Sequence, residues 1–568
     1  MIKTPWRLFY LAWGIILLGA FLAHSIQTTN NIAIKDVRFA GANGSILSAY
    51  LYIPEGVSAE NPAPGILAVH GYINSKEVQA GFAIEFARRG YVVLAMDQAG
   101  HGYSEAPAFA NGFGGPAGLA YLRTLDIVDK DNIGLEGHSM GGWTILAAAA
   151  ADPDGYKSMV LEGSSVGGGR SMPGSADWPR NVALVFSKYD EFAPTMWQVP
   201  SGSVVGQSEN LKALFATSEN VVEERLYGNI SDGTARVLYS PPVTHPGDHI
   251  SHVAIGHALD WFAQTLDGGT PLAASDQIWF FKEVGTLIAL IGFVMLICGS
   301  VQLLLTHNYF ASVNGTPATY AYTQRSPKWW LMAAASAVIP VASFYPFMRW
   351  GGQLLPPSAL LPQSITSQVA FWAILNGIIS VGLGVAVKTG VVSFNHRFKQ
   401  SIVLSLATIA IAYCAVVLAD YFFMIDFRFW FVGVKALSLT QFKIMLVYLI
   451  PFTVFFLVTL RALHGGLSVE GDTPSRQYLS NSLALMGGFF VFLVAQYANL
   501  FLRDALLTPA EALNTIVMIQ FVPLLLIVAI ISTFTYRRTA SYVPGALINA
   551  LFVSWYIVAG QATQFPVT

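Results

Sequence analysis

Residues 132–146 include the stretch Ile133-Gly134-Leu135-Glu136-Gly137-His138-Ser139-Met140-Gly141-Gly142-Trp143. The apolar run 133–135 predicts a strand, and the alanine-rich segment 143–151 predicts a helix. The motif Gly137-x-Ser139-x-Gly141 therefore lies where a strand passes directly into a helix, which is the setting of a nucleophile elbow. The elbow residue takes up a strained backbone, and side chains in place of the two glycines would collide with the neighbouring strand and helix.

The composition indicates a membrane protein. Of 568 residues, 54% are hydrophobic and 11% are charged, whereas about 25% are charged in a typical soluble domain; the mean hydropathy is +0.52. The net charge is −2, and no basic run or nucleic-acid motif stands out, so nucleic acid is not an expected partner. Cys298 and Cys414 lie far apart in apolar segments, so the sequence predicts neither a disulfide framework nor a thiolate metal site.

Residues 1–31 predict an N-terminal transmembrane anchor. Lys3 and Arg7 precede an apolar run, 8–26, that is long enough at about 1.5 Å per residue to cross most of a bilayer. The segment Ala23-His24-Ser25 also fits a signal-peptide cleavage site, and the sequence leaves both interpretations open. In either case the basic residues place the N-terminus in the cytoplasm and the following domain outside.

Residues 32–268 have the composition of a globular α/β domain. Alternating segments on either side of Asn43-Gly44 predict a hairpin, 37–40 and 47–53. Further apolar runs predict buried strands at 65–69, 91–96, 158–161, 182–186 and 236–239 in addition to the strand before Ser139. Helices are predicted before Gly90 and at 119–128 and 254–265. The expected α/β fold is a doubly wound, mostly parallel sheet.

Residues 278–568 predict an all-α bundle of about eight further transmembrane helices. The spans lie near 280–305, 329–348, 368–388, 401–424, 442–460, 480–502, 516–535 and 543–562. Basic residues are more frequent in the loops on one side, namely Arg325, Lys328, Lys388, Arg397, Lys399, Arg461, Arg476, Arg537 and Arg538. The opposite side has Arg349, Arg428, Lys435 and Arg503. This bias agrees with nine spans in a cell membrane and with an α/β domain on the extracytoplasmic side.

A serine hydroxyl needs an adjacent base to become a nucleophile, and the base needs an orienting acid. With this type of elbow the partners follow in the order Ser, Asp or Glu, His. Asp190 comes shortly after the strand predicted at 182–186, at the sheet edge where such folds place their sites. Glu191 and Glu162 are the lesser candidates, and an acid in such a position can also be only a helix cap.

The base is expected between the last strand and the last helix, in Thr244-His245-Pro246-Gly247-Asp248-His249-Ile250-Ser251-His252. His245 is nearest the strand end and is preferred, with His249 as the alternative. His252 and His257 fall on the predicted helix, where a packed or solvated histidine is the simpler interpretation. The close spacing of these histidines with Asp248 would also suit zinc, but the chain has no second ligand cluster, so we expect no metal.

Two backbone amides are candidates for an oxyanion hole. The amide of Met140 starts the helix after Ser139, where free N–H groups favour negative charge. The second is expected in the loop after the strand 65–69, at His70-Gly71-Tyr72, with the Tyr72 amide preferred and the His70 side chain in a structural role.

Three sequence blocks resemble the α/β-hydrolase superfamily, close to its dienelactone-hydrolase and serine-aminopeptidase-like esterases. They are His70-Gly71, Asp97-Gln98-Ala99-Gly100-His101-Gly102-Tyr103-Ser104 and Gly137-His138-Ser139-Met140-Gly141-Gly142. The second block is similar to the family's D-x-R-G-H-G-x-S loop, with Ala99 in place of the usual arginine. The resemblance covers about residues 32–268 and implies hydrolysis of an ester, thioester or amide through an acyl-serine, without a cofactor. It implies nothing about the apolar half.

Two segments bear on access to the serine. Residues 163–180 are rich in glycine and serine, so any cap there is slight and mobile. The longer excursion 192–234 contains a helix-like portion, 209–227, that would either shield the site or form a surface helix pair.

Several polar residues fall in the predicted spans: Asn376, Asp420, Gln496, Asn499, Gln520 and Asn549. Asp420 is the strongest functional candidate among them, although its place near a span end fits an interfacial position equally well.

The sequence therefore predicts a membrane-embedded serine hydrolase that cleaves acyl esters or thioesters of lipid-like character among membrane lipids. The alternatives are a transporter or permease with a hydrolase-like domain that only binds, a membrane-bound serine peptidase, and an acyltransferase. The ordered Ser, Asp and His argue against a domain that only binds, and no signature of a peptide-amine site is found. Because one helix would suffice as an anchor, the remaining spans predict a further task, most simply that of presenting an apolar acyl substrate to the site.

Overall fold

The computed structural model describes residues 5–386 and 392–566. Helix α1, Arg7–Gln27, leads into one eight-stranded sheet with the order β1-β2-β4-β3-β5-β6-β7-β8. The strands are β1 Ala33–Ala40, β2 Ile46–Ile53, β3 Ala63–Val69, β4 Val92–Met96, β5 Val128–His138, β6 Ser158–Glu162, β7 Val182–Val185 and β8 Arg236–Tyr239. Strands β3 to β8 run parallel, and β2 pairs antiparallel with β1 and β4. The mostly parallel sheet and its leading hairpin are confirmed.

Helices cover both faces of this sheet, as a doubly wound fold requires. They are α2 Ala80–Arg88, α3 Gly115–Thr124, α4 Met140–Ala151, α5 Ala193–Met196, α6 Glu209–Leu214 and α7 His252–Thr265. Helices α3 and α4 bury their apolar residues in a core on one face, and α2 and α7 do so in a second core on the other face. We call residues 32–268 the sheet domain. Strands β3 and β4, in the middle of the sheet, are apolar and fully buried because both of their faces are covered.

Two local predictions in the sheet domain are wrong. The helix predicted at 119–128 ends at Thr124, since Leu125 is extended and Val128 already pairs with Ala63 at the start of β5. The helix-like portion 209–227 is helical only over α6. Further along, the backbone N–H groups of Val221, Glu224 and Tyr227 bond to the distant carbonyl groups of Gly206, Leu238 and Arg236.

The rest of the chain is built from long apolar helices. They are α8 Trp279–Leu304, α9 Pro327–Ala342, α10 Phe344–Leu354, α11 Ser364–Ala386, α12 Phe398–Phe423, α13 Leu439–Gly466, α14 Pro474–Arg503, α15 Ala512–Thr539 and α16 Val543–Gly560. We call α1 and the described residues from 278 onward the helical region. Within residues 5–386 and 392–566, eight helices are long and apolar enough to cross a membrane, and the pair α9 and α10 makes a ninth if it counts as one span.

The span predicted at 329–348 is not a single straight helix. Helix α9 and helix α10 meet at Ser343 with a bend of 46°. Pro340, within the last turn of α9, has no backbone N–H to donate and so weakens the helix at this point. The end of the span predicted at 368–388, together with Lys3 and Lys388, lies outside the described residues.

Helix α1 packs along α8 through small residues. A Cβ atom placed on Gly19 would lie 2.5 Å from the carbonyl oxygen of Gly285 and from the amide nitrogen of Ala289. This close approach of two backbones requires glycine, as it commonly does between membrane helices. Helix α1 is thus an integral part of the helical region.

The helical region is not entirely α-helical, which corrects the prediction. Between α12 and α13 a short hairpin forms from β9 Phe427–Phe429 and β10 Val432–Val434, with Trp430 at a φ of 58° in its turn. No Asn-Gly or Asp-Gly signals this turn in the sequence. The hairpin is held by the sheet domain, because the indole N–H of Trp430 donates to the carbonyl of Pro246.

A buried ionic cluster joins the hairpin segment to the sheet domain. The Lys435 ammonium donates to both carboxylate oxygens of Glu77, at 3.0 and 3.1 Å, and the Arg428 guanidinium lies 3.8 Å from Glu77. Burial alone would raise the pKa of Glu77, but the Lys435, Lys76 and Arg428 cations hold it below its usual value. Asp420 lies at the same interface, where it accepts hydrogen bonds from the hydroxyls of Tyr50 and Tyr103.

Candidate active site

Ser139 stands alone between β5 and α4, as the sequence predicts. Its backbone has a φ of 54° and a ψ of −120°, a strained conformation for a non-glycine residue. A Cβ atom on Gly137 would lie 2.4 Å from the carbonyl of Gly141, and one on Gly141 would lie 2.1 Å from the carbonyl of Val69 in β3. A side chain at either glycine would therefore clash with the neighbouring backbone. The turn presents the Ser139 side chain at the carboxyl edge of the sheet.

Asp190 and His245 are brought together from the ends of β7 and β8. The loops after these strands are joined by a parallel bridge between Tyr189 and Thr244, which places the two side chains next to each other. The Nδ1 atom of His245 donates to Oδ2 of Asp190 at 2.8 Å, and Oδ1 of Asp190 accepts from the Phe192 amide at 2.7 Å. Because Nδ1 is engaged, Nε2 is the nitrogen of His245 that is left to accept a proton.

Burial sets the protonation state of this pair. It lowers the pKa of His245 from 6.5 to about 4, and the opposing effect of the nearby Asp248 carboxylate is smaller. Burial also raises the pKa of Asp190, with a further contribution from Asp248. The imidazole of His245 is therefore neutral at pH 7, which is the state in which it can take a proton from a hydroxyl.

His249 lies close by but is not paired with an acid. Its two ring nitrogens are buried without a hydrogen-bond partner among the described residues. Its ring packs 4.1 Å from that of His138 and against the edge of Phe82. Burial and the neighbouring rings of His138 and His245 lower the pKa of His249. The geometry therefore favours His245 over His249 as the base.

The lesser acids and the other histidines have different surroundings. The Glu191 carboxylate bonds to the backbone of His245 and not to its ring, and the buried oxygens of Glu162 have no partner in the described chain. His252 packs against Trp279, and His257 stacks on Tyr239, as expected for packed side chains.

No group of three or more metal-ligating side chains suited to an ion is found in residues 5–386 and 392–566.

The two amides predicted to bind an oxyanion border the serine. The Met140 N–H is the first of α4 and has no partner within the helix. The loop after β3 passes the serine so closely that a Cβ atom on Gly71 would lie 3.1 Å from Cβ of Ser139. Tyr72 follows in this loop and lines the same cavity as Ser139. The His70 ring is structural, since Nδ1 bonds to the Gly71 carbonyl and Nε2 accepts from the Gln98 amide.

A cavity of about 410 Å³ lies above Ser139 and is closed on its far side by the helical region. The sheet domain contributes Ser139, His245, Tyr72 and Arg170, among others. The opposite wall consists of residues near the ends of α11 and α15, of the β9–β10 turn and of the C-terminal segment: Ser364, Ile365, Gln368, Phe431, Leu513, Ile516, Gln520 and Gln564. No local sequence pattern predicts this roof, although Gln520 stands out as a polar residue in an apolar span.

A second contribution of the helical region also went unpredicted. The hydroxyl of Tyr497 in α14 donates to Oε1 of Glu191 at 2.8 Å, and Oε2 of Glu191 accepts from the His245 backbone N–H at 2.8 Å. Burial and the neighbouring Asp190 raise the pKa of Glu191 to about 8. A helix of the apolar half is therefore connected to the histidine loop through one carboxylate.

Comparison with known proteins agrees with this description. Residues 64–220 match the family model described as alpha/beta hydrolase fold. The quorum-quenching protein AidA of Acinetobacter baumannii (strain MDR-ZJ06) is 33% identical over 143 residues, or 22% of this chain. This chain spans 43% of the length of that relative. The sheet domain thus has the α/β-hydrolase fold that the sequence motifs implied.

Two solved structures are similar to parts of this chain. A dienelactone hydrolase-like promiscuous phosphotriesterase from metagenomic libraries is 16% identical, with a TM-score of 0.30, and the match covers 41% of this chain and 99% of that one. The thioesterase domain from the curacin biosynthetic pathway is 24% identical, with a TM-score of 0.20, and the match covers 24% of this chain and 49% of that one.

Proposed function

We propose that this protein is a membrane-embedded serine hydrolase that cleaves acyl esters or thioesters of lipid-like substrates. The observation that carries this proposal is the shared cavity: Ser139 and His245, which is paired with Asp190, lie on one wall, and apolar helices form the other. An acyl chain exposed to water costs about 0.8 kcal/mol per CH₂ group, so a site roofed by membrane helices can receive such a chain without passing it through solvent.

In the proposed reaction Ser139 Oγ attacks the carbonyl carbon of the substrate while Nε2 of His245 takes the hydroxyl proton. The amides of Met140 and Tyr72 stabilise the oxyanion of the tetrahedral intermediate. His245 then gives its proton to the leaving alcohol or thiol, and the acyl group stays on Ser139. A water molecule, deprotonated by His245, then attacks the carbonyl carbon of the acyl-serine. His245 returns that proton to Ser139 Oγ as the bond between Oγ and the acyl carbon breaks, which releases the carboxylic acid and restores the serine hydroxyl.

The arrangement of charges supports an extracytoplasmic location of the sheet domain. The loops at the end of the helical region away from this domain meet one another, as in the bridges from Gly315 to Thr539 and from Tyr322 to Val469. This end carries most of the basic residues outside the helical cores: Arg325, Lys328, Arg397, Lys399, Arg476, Arg537 and Arg538. Basic residues concentrate on the cytoplasmic side of membrane proteins, so the sheet domain would lie outside in the cell membrane.

Labelling with a fluorophosphonate tests the proposed function directly. The full-length protein in detergent or nanodiscs should become covalently labelled, and peptide mapping should place the label on Ser139. Long-chain esters added before the probe should slow the labelling, because they compete for the same cavity. An unlabelled protein, or a label on a different serine, would refute the proposed mechanism.

The pH dependence of hydrolysis should report the buried His245. Only the neutral imidazole accepts a proton, and its pKa is lowered to about 4. We therefore expect kcat/KM for p-nitrophenyl butyrate to stay constant from neutral pH to about pH 5 and to fall as the pH drops through about 4. A histidine with an ordinary pKa would make kcat/KM fall at about pH 6.5 instead. An acid limb near the ordinary value would contradict this prediction.

Circular dichroism must accompany that pH series. Below about pH 6.5 the unfolded state takes up a proton on this histidine before the folded state does, so His245 contributes a loss of stability as the pH falls. Only points at which the protein remains folded define the acid limb of kcat/KM.

The contact between Tyr497 and Glu191 predicts that α14 positions the catalytic base. Replacement of Tyr497 by phenylalanine removes one hydrogen bond to a buried carboxyl group, worth about 1–3 kcal/mol. We expect kcat to fall about tenfold with little change in KM, because the histidine loop loses its support while the cavity keeps its shape. Tyr536→Phe is the matched control, since that buried hydroxyl has no hydrogen bond in the described chain. Equal kcat values for the two variants would rule out a positioning role for Tyr497.

A further inference from the structure

A second, smaller cavity continues from the catalytic cavity into the helical region. It has a volume of about 40 Å³ and lies between α11, α15 and α16. The two cavities adjoin, because both are lined by Ile73, Ile365, Phe431 and Gln520. We call this space the inner compartment. It extends the space above Ser139 away from the sheet domain and into the apolar bundle.

The walls of the inner compartment are apolar and buried. They include Val369 of α11, Val517 and Leu524 of α15, and Ile557 of α16, each of which is at most 8% exposed. The polar side chains in its lining are Gln520, Tyr556 and Gln561, and the amide oxygen of Gln520 is occupied by a hydrogen bond from the Tyr556 hydroxyl at 2.7 Å. With few free polar partners, the compartment suits a hydrocarbon chain and not a headgroup or an ion.

An aromatic cluster closes the far end of the inner compartment. Phe521 lines the compartment, and its ring packs against Trp372 and Phe489 at centroid distances of 5.3 Å each. Trp372 and Phe489 in turn line a third cavity of about 80 Å³, deeper in the bundle. Phe521 therefore separates two spaces that lie in succession along α11, from Ile365 to Leu383.

We propose that the inner compartment binds the distal end of the substrate's acyl chain and that Phe521 limits the length of chain that the enzyme accepts. This inference rests on the proposed hydrolysis at Ser139 and adds a specificity-determining site made by the helical region. An ester carbonyl at Ser139 would direct its acyl chain past Ile365 and Phe431 towards Val369 and Leu524. A chain that reaches Phe521 fills the compartment, and a longer one meets the aromatic rings.

Two substitutions with opposite effects test this proposal. The activity of the full-length protein in nanodiscs is measured on a series of p-nitrophenyl esters from butyrate to stearate. Val369→Phe adds bulk to the inner compartment, and we expect it to lower the ratio of kcat/KM for the best long-chain ester to kcat/KM for butyrate at least about tenfold. Phe521→Ala joins the inner compartment to the third cavity and should move the preferred ester to a longer chain.

Phe455→Ala is the control for the opening variant. It removes a buried aromatic ring from the same bundle, but Phe455 lines only the third cavity and not the inner compartment. The preferred chain length should therefore stay that of the wild type. If Val369→Phe leaves the ratio of long-chain to butyrate activity unchanged, or if Phe455→Ala shifts the preference as Phe521→Ala does, the proposal is overturned.

A binding measurement separates this proposal from the proposed hydrolysis. Palmitic acid with a diazirine at its terminal carbon is photocrosslinked to the Ser139→Ala protein, which needs no turnover. Crosslinks should map to α15 or α16 near Phe521 or Ile557, and Val369→Phe should reduce them severalfold. Crosslinks found only on the lipid-facing surface would overturn the acyl site. Failure of the wild type to cleave any ester, with crosslinks at Phe521 retained, would overturn the proposed hydrolysis alone.

Discussion

Replacement of Ser139 by alanine should lower kcat for a short ester by a factor on the order of 10⁴ to 10⁶, the loss typical when a catalytic triad loses a member. Alanine has no hydroxyl to attack the substrate carbonyl, and no other serine in residues 5–386 and 392–566 has a positive φ like the 54° of Ser139. The cavity should keep its shape, because alanine is smaller than serine and fits the same turn. KM for the remaining activity should therefore change little.

The matched control is Ser171→Ala, in the glycine- and serine-rich segment after β6. The Ser171 hydroxyl bonds to the backbone of Gly168 and is not part of the catalytic cavity. This variant should keep wild-type turnover and fluorophosphonate labelling. Turnover that survives in Ser139→Ala, with the protein shown to be pure, would mean that the nucleophile is elsewhere.

Features that depend on neighbouring residues could be predicted from the sequence. The elbow at Ser139 follows from two glycines and the switch from a strand to a helix, all within a few residues. The apolar helices follow from hydropathy over about twenty residues, the length that crosses a bilayer. The juxtaposition of Asp190 and His245 was accessible too, because parallel strands bring the loops at their carboxyl ends to one edge of the sheet.

Features that depend on distant packing could not be predicted in this way. Tyr497 and Glu191 are separated by 306 residues, and no local pattern relates them. The same holds for Lys435 and Glu77, which lie in loops and could be solvent-exposed by sequence alone. In the structure they form a buried ion pair. Asp420 stands out in the sequence because placing a carboxylate in a bilayer costs free energy. Its hydrogen-bond partners in the sheet domain, Tyr50 and Tyr103, cannot be predicted from that pattern.

The mistaken helix at 209–227 has a different origin. The segment contains residues that favour a helix, but the N–H groups of Val221, Glu224 and Tyr227 find carbonyl partners at Gly206 and in β8. Tertiary hydrogen bonds outweigh helix propensity, which amounts to less than about 1 kcal/mol per residue. Conversely, the β9–β10 hairpin forms without a turn signal, because Trp430 is held by contacts to Pro246 and Glu283.

If the proposed function holds, these contacts make the two halves of the molecule one functional unit. The roof of the cavity, the hydrogen bond to Glu191 and the Trp430 contact beside His245 all come from the helical region. Each of them reaches the part of the sheet domain that carries Ser139 or His245. A change in the packing of α11, α14 or α15 should therefore alter catalysis before it alters the fold of the sheet.

His245→Ala should be nearly as inactive as Ser139→Ala, with kcat reduced by a factor on the order of 10⁴ to 10⁶. Without this imidazole, no group takes the proton of Ser139 Oγ or returns it to the leaving group. His249→Ala is the matched comparison, because both histidines belong to the same turn and line the same cavity. The loss for His249→Ala should be far smaller, since its ring nitrogens have no hydrogen-bond partner in the described chain.

The two variants separate the roles of the histidines only if both remain folded, so their thermal unfolding is measured alongside kcat. His249 is buried against His138 and Phe82, and its removal leaves a cavity that should lower the melting temperature. His245 is buried as well, and its removal leaves the buried Asp190 carboxyl group without its partner, so both variants should be less stable than the wild type. With both proteins still folded, His245→Ala should be inactive and His249→Ala active. The reverse pattern of activity would show that His249 swings towards Ser139 during catalysis and that the pairing of His245 with Asp190 serves only to hold the turn.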